Sequence, residues 1–188
     1  MNRNAIVLLV WHHLPQDMME IEIKSPCEDL DGVERRLLEL GAGFRGETAQ
    51  ADLYLSHPCR DFARTDEALR LRREGNRATL HYKGPKIDAG TKSREEIGMS
   101  LGEPDAMMSI LDRLGFRPVA EVRKVRRNYG IGNIEVSLDR VSGLGGFVEL
   151  EVQDLPVEEG RRMLFSLLAE LGLERTERRS YLELLLEK

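Results

Sequence analysis

The chain predicts an α+β fold: an eight-stranded antiparallel β-barrel with helices packed outside it. Three observations predict it. About eight short segments alternate polar and apolar residues with the two-residue period of a strand. Helical segments fall between them without repeating strand–helix–strand alternation, which argues against a doubly wound parallel sheet. The polar parity is charged in several strands: Glu20-x-Glu22-x-Lys24, Arg70-x-Arg72, Lys124-x-Arg126 and Glu149-x-Glu151. Taken singly, each such face suits a sheet that is wet on one side. Taken together, acids near both ends of the chain and bases in its middle suit a closed sheet. Closure turns the charged parity inward and leaves the apolar parity for the helices to cover. Charges of both signs can be enclosed where they pair with one another or bind a charged ligand.

The elements follow in order. A strand over Met19–Ser25 stops at Pro26. Asp29 or Asp31 caps a helix to about Leu40, with Val33, Leu37, Leu38 and Leu40 as its apolar stripe and Gly41 as its stop. Phe44–Ser56 is extended, with Leu53 and Leu55 on one parity and Tyr54 on the other. Pro58–Asp66 has the composition of a loop. Ala68–Glu74 and Ala78–Lys83 form a hairpin about Gly75-Asn76, with His81 and Lys83 on one parity. Lys92–Ser100 is a strand, in which Arg94 shares a parity with Glu96 and Glu95 interrupts the alternation. Pro104 opens a helix that Gly115 closes. Val119–Tyr129, Asn133–Arg140 and Gly146–Val152 are three strands joined by glycine-rich turns. In the second of these, Glu135, Ser137 and Asp139 oppose Ile134, Val136 and Leu138. Pro156–Leu171 and Glu177–Leu186 are the last helices.

Bulk properties narrow the partners. The 188 residues suffice for one domain with a real core, and 32% of them are charged. A net charge of −5 argues against duplex nucleic acid as a partner. Cys27 and Cys59 have no metal-ligand spacing and fit a reducing cytoplasm. No apolar run has the length to cross a bilayer, so no membrane partner is expected. Ala5–Trp11 is apolar but short, and no small-residue cleavage site follows it. Residues 1–17 are therefore expected to be an extension outside the core, and residues 18–188 the domain. None of the four histidines has zinc spacing, and neither a nucleophile elbow nor a Walker-type phosphate loop is present.

Glu and Asp are hard oxygen ligands suited to Mg²⁺ or Mn²⁺, while Lys and Arg suit phosphate oxygens. The ordered set Glu20-x-Glu22-x-Lys24, Leu69-Arg70-Leu71-Arg72, Tyr82-Lys83-Gly84-Pro85, Arg123-Lys124-Val125-Arg126, then Asp139 with Glu149-x-Glu151, resembles the CYTH superfamily, also called triphosphate tunnel metalloenzymes. Ser180-Tyr181-Leu182-Glu183 is similar to that family's closing helix. His57-Pro58-Cys59-Arg60-Asp61-Phe62 with Thr65-Asp66-Glu67-Ala68-Leu69-Arg70 resembles the class IV adenylyl cyclase branch most.

The resemblance implies an antiparallel tunnel, a triphosphate substrate and dependence on Mg²⁺ or Mn²⁺. It implies metal ligation by Glu20, Glu22, Asp139, Glu149 and Glu151. Substrate contacts fall to Lys24, Arg70, Arg72, Lys83, Arg94, Lys124 and Arg126, and the catalytic role among these to Lys24 and Arg126. It also implies a homodimer. The expected activity is conversion of ATP to 3′,5′-cyclic AMP and pyrophosphate. A triphosphatase acting on thiamine triphosphate, a nucleoside triphosphate or tripolyphosphate is the alternative, and a non-catalytic polyphosphate-binding module the second.

Overall fold

The computed structural model describes residues 19–85 and 94–188, the side chains of Met19, Glu20 and Arg94 excepted. The expected extension at residues 1–17, and the expected strand start at Lys92, lie outside the described residues.

Eight antiparallel strands close into a barrel in the order β1-β5-β4-β3-β2-β6-β7-β8. They are β1 (Met19–Pro26), β2 (Gly43–Ser56), β3 (Ala68–Glu74), β4 (Arg77–Lys83), β5 (Arg94–Ser100), β6 (Arg117–Ile131), β7 (Ile134–Val141) and β8 (Gly145–Gln153). The helices are α1 (Leu30–Glu39), α2 (Phe62–Thr65), α3 (Pro104–Arg113), α4 (Val157–Glu170) and α5 (Tyr181–Leu186). The barrel closes at a short seam, where β1 meets β5 through Met19↔Glu95 and Glu20↔Arg94. Along the rest of its length β1 pairs with β8, from Glu20↔Gln153 to Pro26↔Phe147.

Strand parity decides which side chains face inward. The outward parity of β1, β7 and β8 supplies Ile21, Ile23, Val136, Leu138, Val148, Leu150 and Val152 to the main core. Helix α1 covers it with Leu30, Val33 and Leu37, and α4 with Leu164, Leu167 and Leu168. Gly160 lets α4 lie this close: a Cβ there would sit 2.5 Å from Ile21 Cδ1. A smaller core joins Leu55 and Leu69 to Leu111 of α3. With the outward faces of β1, β7 and β8 covered, these strands hold the opposite parity in a fixed lumen.

Two elements depart from the sequence reading. Within the expected loop at Pro58–Asp66, residues Phe62–Thr65 form one helical turn, because the Asp61 carboxylate accepts hydrogen bonds from the Ala63 and Arg64 amides. The final helix begins at Tyr181 rather than Glu177, since Ser180 and Glu183 form a reciprocal capping box there. Residues 177–180 instead run as a strap along β1, with the Glu177 amide donating to the Lys24 carbonyl at 2.7 Å.

Candidate active site

The lumen is a cavity of about 900 Å³. Among the described residues, its lining includes Glu22 and Lys24 of β1, Arg70 and Arg72 of β3, and His81 and Lys83 of β4. Glu96 of β5, Lys124 and Arg126 of β6, and Glu149 and Glu151 of β8 complete the charged wall. The expected inward parity thus brings all of these onto one surface. Glu20 and Arg94 face each other in the β1–β5 pairing, but their side chains lie outside the described residues.

Each basic pair is held by an acid on a neighbouring strand. Asp139 of β7 takes Arg126 through two parallel contacts, Nε to Oδ1 at 2.7 Å and Nη2 to Oδ2 at 2.6 Å. Its Oδ2 also accepts from Lys124 Nζ at 2.9 Å and from the Tyr181 hydroxyl at 2.8 Å. Asp52 of β2 takes Arg72 in the same forked manner, at 2.7 and 2.8 Å, and Arg70 at 3.3 Å. Glu96 meets His81 Nδ1 at 2.7 Å, Lys83 Nζ at 2.5 Å and Arg70 at 3.9 Å. Gly98 makes room for this group, because a Cβ there would lie 3.1 Å from the His81 ring. Paired guanidinium–carboxylate forks of this kind compensate the desolvation of both charges.

The electrostatics follow from burial and pairing. Burial pushes the Asp52 carboxyl up, but the Arg70 and Arg72 guanidiniums outweigh it and hold its pKa at about 2. Burial and the charge of Arg126 together lower the Lys124 ammonium to about 8, against the pull of Asp139 and Glu149. Tyr181 is pushed well above the ordinary phenol range by burial and by the Glu149 and Asp139 charges, so it stays a hydrogen-bond donor. Its ring lies 4.1 Å from Lys24 Nζ and 5.0 Å from Lys124 Nζ. The Lys24 ammonium donates to the Arg179 carbonyl. The terminal strap and α5 therefore form part of the site wall.

The carboxylates fall into two sets. Glu22 and Glu151 face one another across the β1–β8 pairing and line the cavity, as does Glu149. Burial and the facing Glu22 carboxylate push Glu151 above the usual carboxylate range. A divalent cation would relieve that repulsion, so the donor set Glu22, Glu149 and Glu151 fits Mg²⁺ or Mn²⁺. Among the described residues, no three such ligands already converge on one point. Asp139 is on the same inward face but fully buried with both oxygens engaged, and a metal there would have to displace Arg126, Lys124 or Tyr181. Glu149 also pairs with Arg126 Nη2 through Oε2, so a metal would share it with that guanidinium.

Sequence reasoning missed Asp52 as a site residue. It is a lone acid in a strand of mixed composition, and its only signal is the parity it shares with Gln50 and Tyr54. Glu96 was legible in parity but obscured by Glu95.

Comparison with known proteins agrees with this architecture. The CYTH domain family model matches residues 18–181. A Methanocaldococcus jannaschii protein provisionally named an adenylate cyclase is 40% identical over 172 residues, spanning 89% of this chain and 98% of its own. Adenylate cyclase CyaB of Aeromonas hydrophila is 29% identical over 174 residues, spanning 88% of each. The solved structure of the PH1819 protein from Pyrococcus horikoshii OT3 superposes with a TM-score of 0.84 at 42% identity, covering 89% of this chain and 98% of that one. An eight-stranded charged lumen, matched by that family model over most of the chain, makes this protein a member of the CYTH family.

Proposed function

We propose that the protein is a metal-dependent class IV adenylyl cyclase, converting ATP to 3′,5′-cyclic AMP and pyrophosphate. One observation carries the reading: Lys24, Arg70, Arg72, Lys83, Lys124 and Arg126 converge from β1, β3, β4 and β6 on a single cavity that Glu22, Glu149 and Glu151 also line. Six bases lining one cavity match the several negative charges of a triphosphate. Among the described residues the buried Arg70 Nε–H has no hydrogen-bond partner, as suits a donor meant for a ligand oxygen. The cavity also has an apolar rim of Phe62, Ile97, Val119 and Leu186, suited to a nucleoside. The names of two relatives agree with the cyclase reading.

In this reaction the ribose 3′-oxygen forms a bond to the α-phosphorus. The α-phosphorus bond to the bridging oxygen breaks, pyrophosphate leaves and the hydroxyl proton passes to solvent. When bound by Glu22, Glu149 and Glu151, a divalent cation supplies charge neutralisation at the phosphate oxygens. The chain's own bases orient the triphosphate and stabilise the charge on departing pyrophosphate, Arg126 and Lys24 beside the acidic wall. Arg126 is held rigid by Asp139, so this stabilisation requires little reorganisation.

Incubation with ATP and Mg²⁺ or Mn²⁺, followed by product analysis, tests the proposal. Cyclic AMP with equimolar pyrophosphate is the expected outcome. ADP with phosphate would assign the alternative triphosphatase activity, and binding without turnover a binding module.

A further inference from the structure

Asp52 is 1% exposed, yet it does not line the cavity. It lies on the same inward face as Arg72 but is buried beneath the lining side chains, with both oxygens turned towards Arg72 and Arg70. The Asp52↔Arg72 pairing between β2 and β3 places the carboxylate directly across from the guanidinium it forks. A guanidinium gripped along one edge has its plane fixed, which a point charge would not achieve. Asp139 repeats the arrangement beneath Lys124 and Arg126 on the same inward face. In both places an acid on the adjacent strand brackets bases two residues apart. Without it, two like charges on one face would repel and swing apart.

We infer that Asp52 is a positioning residue for the tunnel's anionic ligand, acting through Arg70 and Arg72. It keeps both guanidiniums aimed into the cavity before the ligand arrives, so little side-chain entropy remains to be lost on binding. The inference rests on the triphosphate reading above. A role in charge balance alone makes the opposite prediction, because removing a negative charge from beside the guanidiniums would strengthen anion binding.

Calorimetric titration with metal-free tripolyphosphate and with ATP separates the two. For Asp52→Asn, positioning predicts roughly ten-fold weaker binding of both, the scale of a lost charge-assisted hydrogen bond. Asp52→Glu, which keeps the charge and shifts the carboxylate by one methylene, is also expected to weaken binding, and it replaces the Asn variant should that fail to fold. In an Arg72→Ala background, Asp52→Asn should cost less than it does alone, which a general structural role would not produce. Equal or tighter binding by the Asn variant, or fully additive losses, would overturn the inference while leaving the triphosphate reading intact. A wild-type protein that binds neither probe would overturn both.

Discussion

Changing one carboxylate of the β1–β8 wall to an amide removes charge while preserving shape. Glu149→Gln and Glu22→Gln should therefore lower metal-dependent turnover by about 100-fold or more, since ligand charge is what holds a cation against phosphate. Arg70→Ala and Lys124→Ala should act mainly on KM, raising it roughly ten-fold, because a base touching phosphate does so in ground and transition states alike. Exposed Glu47 lies off the lumen, and Glu47→Gln should leave both constants unchanged. Steady-state kinetics across Mg²⁺ concentrations measures all five; full activity in Glu149→Gln would remove the metal assignment. At this scale the sequence was legible wherever charges recur on one parity, as in Arg70-x-Arg72. It was not legible at Asp52, because a lone acid carries no period. Nor does parity distinguish an acid that reaches the cavity surface from one buried beneath the bases it pairs: Glu149 and Asp139 share the inward parity and look alike in sequence.

Among the elements, α5 is the one whose boundary bears on the site. Its six residues are too few to be stable alone, so it depends on the capping box and on docking of Tyr181. Ser180→Ala removes the acceptor for the Glu183 amide and should destabilise the helix by about 1 kcal/mol. The expected readout is faster hydrogen exchange in residues 180–186, with exchange in β7 and β8 unchanged. Uniform acceleration across the barrel would show that α5 is not a separable unit. The hairpin at Gly75-Asn76 and the strands β6–β8 were legible because turn residues and parity agree. The turn α2 was not, since four residues give too little periodicity and only the Asp61 cap marks it. The strap before α5 was hidden for another reason: its hydrogen bond to Lys24 spans most of the chain.

For the whole molecule, enclosing acids among guanidiniums sets the response to acid. The folded Asp52 carboxyl titrates at about 2, below the roughly 3.9 of an unfolded aspartate. Its contribution is thus complete above pH ~4 and lost as pH falls through about 2, amounting to about 2 kcal/mol. Asp139, also lowered, adds in the same direction. Urea unfolding at pH 7, 4 and 2 should show a steep loss over the lower interval, with Asp52→Asn flattening it. An identical acid limb in that variant would remove Asp52 as its source.

The long pairing of β1 with β8 has a consequence for how the chain is made. Ile21 finds its cross-strand partner at Val152, and Lys24 is braced by residues still later, at Glu177 and Arg179. The first strand emerges from the ribosome long before either exists. Barrel closure therefore comes late in a slow-folding, high-contact-order topology. Until then β1 is an unsatisfied edge, and its alternating Glu20, Glu22 and Lys24 are the charges that discourage it from pairing with another nascent chain. The residues read here as a binding wall would thus serve first as protection during biosynthesis.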